Sequence, residues 1–429
     1  MLNQSIKEQI QDLHKSKSES GVNSVFIGYK TTNGIRTSDL SVVFGVDKKI
    51  HESNIPQDYV LPKMVTIDGS IIKTDVIEIS DLKALTCYPS GDQNVERLRS
   101  FPTIPVPFKG GMQISEFPTA WSSSGGVYSY TVGTLGFFAK DNIDGRVVGV
   151  TNAHVLINKL TISSERNIQS EINDPYNISE KRTWVDGNNY FPSASIFSSN
   201  TGMMFNIALP FEKIKKYIPL FKNSTNYVDC SIITPKPEYI DDSSYQVWQP
   251  INQTTYPSSM PFATTAELDN LLATNPTVYC TGRTSGPIGW GTGECKINIT
   301  GVGATVNVGY AEGTFSFSDQ IIMQTPLNAA PMAGGDSGSC VMADIGGIRK
   351  IIGLMFAGNS GAGSISVFNR IDRVASEAGI SQFTSPPNTL VPTARLYSAS
   401  LDTYGSSKSI VLNGKLYYQS GLTKNVYNE

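Results

Sequence analysis

Gly334-Gly335-Asp336-Ser337-Gly338-Ser339 decides how the chain is read, together with Thr151-Asn152-Ala153-His154 far upstream. Glycines on both sides of Ser337 let the backbone turn sharply enough for the N–H groups of Gly335 and Ser337 to converge on one oxygen. Alone, Gly-Gly-Asp-Ser-Gly is no more than a run of turn formers. His154 changes that reading, because a serine hydroxyl becomes a useful nucleophile only when a positioned base takes its proton.

The sequence offers three histidines. His14 falls in a charged N-terminal helix and His51 in a polar segment after Lys48-Lys49, whereas His154 follows the apolar run Val147-Val148-Gly149-Val150 and opens an apolar turn. A carboxylate lying between His154 and Ser337 is needed to orient the imidazole. In Asn226-Tyr227-Val228-Asp229-Cys230-Ser231-Ile232-Ile233, Asp229 interrupts the start of a mostly apolar strand. A carboxylate buried there needs a donor such as an imidazole N–H. Asp229 is the first choice; Asp174 and Asp186, in polar loop sequence, stay in reserve.

At 429 residues the chain exceeds what one core usually serves, which predicts two domains or a large domain with appendages. A net charge of -3 with 17% charged residues recruits neither nucleic acid nor a membrane. Met1-Leu2-Asn3-Gln4-Ser5-Ile6-Lys7-Glu8 lacks the features of a secretory leader, and no run approaches ~20 apolar residues, so a cytoplasmic location is expected. Cys87, Cys230, Cys280, Cys295 and Cys340 form an odd set without C-x-x-C. They read as buried small hydrophobes, not as disulfides or zinc ligands.

Ile6, Ile10 and Leu13 give one apolar stripe on a helix running to about Ser18. Strands follow at 24–30, 40–46, 64–67 and 71–79, the last two joined by Asp68-Gly69, so 1–82 reads as a small α+β domain. Pro89, Pro102, Pro105 and Pro107 mark 83–109 as a linker over the surface. From Gly110-Gly111 onward, short β segments predict an all-β barrel or sandwich, with strands at 128–138, 146–151, 228–233, 277–282, 294–302, 305–310, 319–323, 339–342 and 349–356. A closing helix spans 371–378, with Gly379 as its C-cap. Pro386-Pro387 and Pro392 open a β-rich tail, 386–429, in which Leu412-Asn413-Gly414-Lys415 is a hairpin turn.

Two segments invite other readings. Lys213, Lys215 and Lys216 beside Phe211, Ile214, Tyr217 and Ile218 sit at near-helical spacing, which predicts a helix packed on the core rather than a basic binding patch. The glycine-rich run from Gly286 to Gly293 precedes strand-like sequence, so it predicts a long hairpin turn rather than a phosphate-cradling loop.

The motifs around His154, Asp229 and Ser337, in that order, resemble a chymotrypsin-like serine protease spanning 110–385. Val132-Gly133-Thr134-Leu135-Gly136, Gly282-Arg283-Thr284-Ser285-Gly286 and Gly353-Leu354-Met355-Phe356-Ala357-Gly358 extend the resemblance. With Ile27-Gly28-Tyr29-Lys30 and Thr74-Asp75-Val76, they are similar to the intracellular group that includes the plant narrow-leaf protein and its bacterial relatives.

The resemblance implies a mainly β fold: two six-stranded Greek-key barrels, with His154 and Asp229 from the first and Ser337 from the second. It implies a serine endopeptidase acting on protein or peptide substrates through an acyl-enzyme, with no metal or cofactor, and with the N–H groups of Gly335 and Ser337 holding the oxyanion. Pro331, Phe356, Ala357 and Gly358 would line the substrate pocket; uncharged Pro331 favours small or apolar residues before the scissile bond over Lys or Arg. An insertion over 158–226 would shield the cleft and make activity conditional. The N-terminal domain or the C-terminal tail is expected to mediate a homo-oligomer or a protein partner. Activation by a new N-terminus pairing with Asp336 is disfavoured, because no hydrophobic residue follows Lys109. The alternative is a catalytically silent binding or scaffold protein on the protease fold. An α/β-hydrolase is disfavoured, since Ser339 stands where the second glycine of its motif belongs.

Overall fold

Helix α1 (Gln4–Lys17) starts where the Asn3 side chain accepts the Ile6 N–H at 2.8 Å, and it carries His14, Lys15 and Lys17 in its last turn. The computed structural model describes residues 2–32, 35–80, 82–85, 110–111, 113–116, 120–122, 127–129, 132–157, 183–186, 211–235, 261–282, 286–288, 298–324, 332–359, 364–382, 408–412, 415–420 and 423–426. Strands β1 (Val22–Thr32) and β2 (Ile35–Val46) pair as an antiparallel hairpin. β3 (Met64–Ile67) and β4 (Ser70–Glu78) meet at Asp68-Gly69, where both residues have positive φ as a tight hairpin requires. β4 then lies parallel to β2, and β5 (Lys83–Ala84) follows.

Short strands come next: β6 (Gln113–Glu116), β7 (Ala120–Ser122), β8 (Val127–Ser129), β9 (Val132–Thr134), β10 (Phe137–Asp141) and β11 (Val147–Thr151). One turn of helix, α2 (Ala153–Leu156), leads to β12 (Thr183–Asp186), β13 (Phe211–Tyr217) and β14 (Ser231–Pro235). Helices α3 (Thr265–Asp269) and α4 (Leu271–Thr274) precede β15 (Val278–Gly282), β16 (Gly286–Ile288), β17 (Asn298–Tyr310) and β18 (Gly313–Gln324). The last part holds β19 (Cys340–Ile345), β20 (Ile348–Gly358), β21 (Ile365–Arg370), helix α5 (Ile371–Ala378), β22 (Ile380–Ser381), β23 (Lys408–Leu412), β24 (Lys415–Ser420) and β25 (Thr423–Val426).

The fold is mainly β. Among the described residues, twelve strands form one sheet in the order β16-β15-β19-β20-β21-β18-β17-β1-β2-β4-β3, with β5 set beside β17 and β20. A second sheet runs β13-β14-β11-β10-β22, and smaller ones are β12-β6-β9, β23-β24-β25 and β7-β8. β1 pairs with β17 through Ser24↔Val306 and Gly28↔Gly301, so hydrogen bonds cross from the 1–82 segment into strands of the 110–385 segment. β5 is equally unlike a surface linker, because its residues pair within the sheet. The rest of that segment, including Pro89, Pro102, Pro105 and Pro107, lies outside the described residues.

Three expectations need correction. The predicted helix at 211–218 is strand β13, which pairs with β14. Its register shifts between Ile214 and Lys216, and such a bulge puts Ile214 and Tyr217 on one face three residues apart, imitating helical spacing. The segment 128–138 is three strands, not one. The two strands expected from 294 to 310 are, over the described residues 298–310, the single strand β17, whose register shifts near Gly301 and Ala304.

A buried ionic cluster joins α1 to the core. Arg370 Nη1 meets Asp269 Oδ1 at 2.5 Å and Asp319 Oδ1 at 3.2 Å, and Nη2 meets Asp372 Oδ2 at 2.8 Å. Lys7 Nζ reaches Asp269 at 3.0 Å and Asp319 at 3.2 Å, and Arg373 adds a 3.0 Å contact to Asp319. Burial works against the Arg370 charge, but the surrounding carboxylates outweigh it and hold the guanidinium pKa above its ordinary value.

Candidate active site

β11 and β14 are neighbours with Thr151 opposite Ser231, so the residues just beyond Thr151 and just before Ser231 emerge side by side. Asn152 to His154 leave one strand there, and Asp229 enters the other. Asp229 is 0% exposed, and its carboxylate is fully used. Oδ1 accepts the N–H groups of Ala153 at 2.8 Å and His154 at 3.2 Å, capping α2. Oδ2 accepts His154 Nδ1–H at 2.5 Å and the Tyr310 hydroxyl at 2.9 Å. The Asn152 amide donates to the Asp229 carbonyl at 2.6 Å. The Asp229 N–H donates to Asn369 Oδ1 at 3.0 Å, and Asn369 in turn donates to Gln320. With Nδ1–H committed to a carboxylate, Nε2 is the acceptor of the ring; this tautomer is assigned from its partners.

Ser337 lies in the loop before β19, with Oγ 2.8 Å from His154 Nε2. The loop is clamped by β9: Thr134 N–H donates to the Ser337 carbonyl at 2.7 Å and Thr134 Oγ1–H to the Gly335 carbonyl at 2.9 Å. Gly335 and Gly338 have φ of 97° and 91°, in the left-handed region. A Cβ at Gly338 would also stand 2.2 Å from the Thr134 carbonyl oxygen and 2.3 Å from Thr151 Oγ1. The Asp336 carboxylate accepts the Ala333 N–H at 2.8 Å, tying the loop to itself. The Gly335 N–H points at a peptide oxygen, the Leu85 carbonyl, at 2.7 Å.

The structure thus brings His154, Asp229, Ser337 and Gly335 together. Pro331 and Asp174 lie outside the described residues, and Asp186 ends β12 in a separate sheet. The Phe356 ring is buried, packed on Phe317 with centroids 4.8 Å apart, so the residue meets Ser337 by its backbone. Its carbonyl accepts the Leu85 N–H at 3.1 Å and lies 3.3 Å from Ser337 Oγ. Ala357 and Gly358 pair with Ala84 and Lys83.

Tyr310 is the site residue that sequence reasoning missed. Its ring meets His154 edge-on at 5.7 Å and stacks with Phe317 at 6.0 Å. Burial, then the Asp229 carboxylate, pushes its hydroxyl pKa well above the ordinary value, so it stays a proton donor. Cys230, Cys280 and Cys340 are free and buried, and burial raises each thiol pKa, which leaves them protonated space-fillers.

The chain matches no family model and no curated protein. Among solved structures it is similar to a glutamic-acid-specific serine protease described as using a histidine triad in substrate binding, with 16% identity and a TM-score of 0.32 over 64% of this chain and 99% of that one. A likeness of that extent leaves the chemistry to be argued from the site itself. Among the described residues, no helix is long and apolar enough to cross a membrane.

Proposed function

We propose that the chain is a serine endopeptidase of chymotrypsin-like architecture. The observation that carries this reading is the unbroken relay from Ser337 Oγ to His154 Nε2, 2.8 Å, and from His154 Nδ1 to Asp229 Oδ2, 2.5 Å, next to a Gly335 N–H that already faces a peptide oxygen. Ser337 Oγ attacks a substrate carbonyl carbon while His154 Nε2 takes its proton. Asp229 stabilises the imidazolium, and the N–H groups of Gly335 and Ser337 hold the oxyanion. His154 then protonates the leaving amine, and water hydrolyses the acyl-enzyme by the reverse sequence of proton transfers.

The double-barrel reading draws support from strand order. β18 to β21 lie as β19-β20-β21-β18, so one strand of four returns beside the far one in the Greek-key manner. Two kinetic experiments test the activity. Hydrolysis of a quenched peptide library should fall by about 10³-fold or more in Ser337→Ala; unchanged hydrolysis in that variant would remove the proposal. The favoured cleavage sites should follow small or apolar residues, and strict cleavage after Arg would overturn this specificity.

A further inference from the structure

β5 and the residue after it lie where the acyl half of a peptide substrate belongs. Such substrates bind as an added strand, with main-chain pairing along the cleft and the reacting carbonyl on the oxyanion donors. Three features of 83–85 meet these requirements together. The Leu85 carbonyl accepts the Gly335 N–H at 2.7 Å, in the loop that carries Ser337. The Leu85 N–H donates to the Phe356 carbonyl at 3.1 Å, and that carbonyl is itself 3.3 Å from Ser337 Oγ. Further back, Ala84 and Lys83 pair antiparallel with Ala357 and Gly358 of β20.

The side chain agrees with the backbone. Leu85 is only 7% exposed and belongs to the apolar cluster that includes Met332, Met355 and Cys340. Gly358 lies directly against the leucine: a Cβ placed there would meet Leu85 Cδ2 at 3.5 Å, ordinary contact distance. The other flank of β5 is anchored as well: the Gly309 N–H donates to the Leu82 carbonyl at 2.9 Å, and Gly309 pairs with Lys83.

We propose that Lys83-Ala84-Leu85 is the chain's own occupant of the acyl side of the cleft, with Leu85 as the residue whose carbonyl faces Ser337. The inference rests on the peptidase reading and makes two parts of it specific. The pocket accepts leucine-like residues, and the enzyme is self-inhibited, because an external peptide must displace a strand tethered in cis at high effective concentration.

The test is the rate at which a fluorophosphonate probe labels Ser337 in the full chain, with the intact mass recorded alongside. Leu85→Asp puts a charge into an apolar site, and Leu85→Pro removes the N–H that Phe356 accepts while staying apolar. Both should label about tenfold faster than the wild type or more, with kcat/KM for a fluorogenic peptide ending in leucine rising in step. Equal labelling rates in the intact wild type and both variants would overturn the inference and leave the peptidase reading standing. No labelling in any form would overturn both. A wild-type chain cut after Leu85, whole in Ser337→Ala, would support the same occupancy. In that cut Ser337 Oγ bonds to the Leu85 carbonyl carbon, the C–N bond to the next residue breaks, His154 protonates the departing amine, and water releases Leu85 as a carboxylate.

Discussion

Four donors converge on the Asp229 carboxylate, two from the backbone of the turn that carries His154, one from the imidazole and one from Tyr310. The carboxylate therefore fixes both the ring and the turn beneath it. Asp229→Asn should lower kcat by about 10⁴-fold, because an amide can stabilise the wrong imidazole tautomer; steady-state kinetics on the folded variant checks this. Tyr310→Phe removes one donor to a charged acceptor and should lower kcat by about tenfold with KM nearly unchanged. A merely structural Tyr310 would instead shift Tm and leave the pH–rate profile of kcat as it was. His154 and Ser337 were legible from their flanking residues, and Asp229 as a polar interruption of an apolar run. Tyr310 and Asn369 were not, because they reach Asp229 only through pairings between distant strands.

At the level of elements, bulges explain what the sequence misled on. The extra residue in β13 imitates a helical period, and the irregular register of β17 makes one strand read as two. Helix α3 was overlooked although its signal is local: Thr264 accepts the Glu267 N–H and Glu267 accepts the Thr264 N–H, a complete capping box. Thr264→Ala should cost about 1 kcal/mol in urea-induced unfolding. Asp68-Gly69, by contrast, stated its turn plainly, since only certain residues tolerate the positive φ that both adopt.

For the whole molecule, long-range pairing was beyond reach of the sequence. Nothing near Ser24 announces Val306 as its partner, so 1–82 read as a separate unit while the sheet runs through both segments. Lys7 reaches across that junction to Asp269 and Asp319, the carboxylates that Arg370 also pairs, and Arg370→Met, which leaves buried carboxylates with less counter-charge, should destabilise the fold by about 3–5 kcal/mol. His14 adds a pH dependence. Burial is the main influence on its ring and lowers its pKa from the ordinary 6.5, partly offset by the bond to the Asn23 carbonyl. Below that ordinary pKa the unfolded chain binds a proton that the folded chain resists, so stability is full above it and declines as pH falls. His14→Gln should flatten that decline in unfolding curves taken across the acid range.

Every step proposed for the site requires that Ser337 be a nucleophile activated by His154. Fluorophosphonate labelling of the purified full-length protein, beside Ser337→Ala, His154→Ala and Leu85→Asp, with the modified residue mapped by mass spectrometry, tests it most directly. Modification is expected at Ser337, faster in Leu85→Asp and abolished in the other two. Modification elsewhere, or none even in Leu85→Asp, would contradict it.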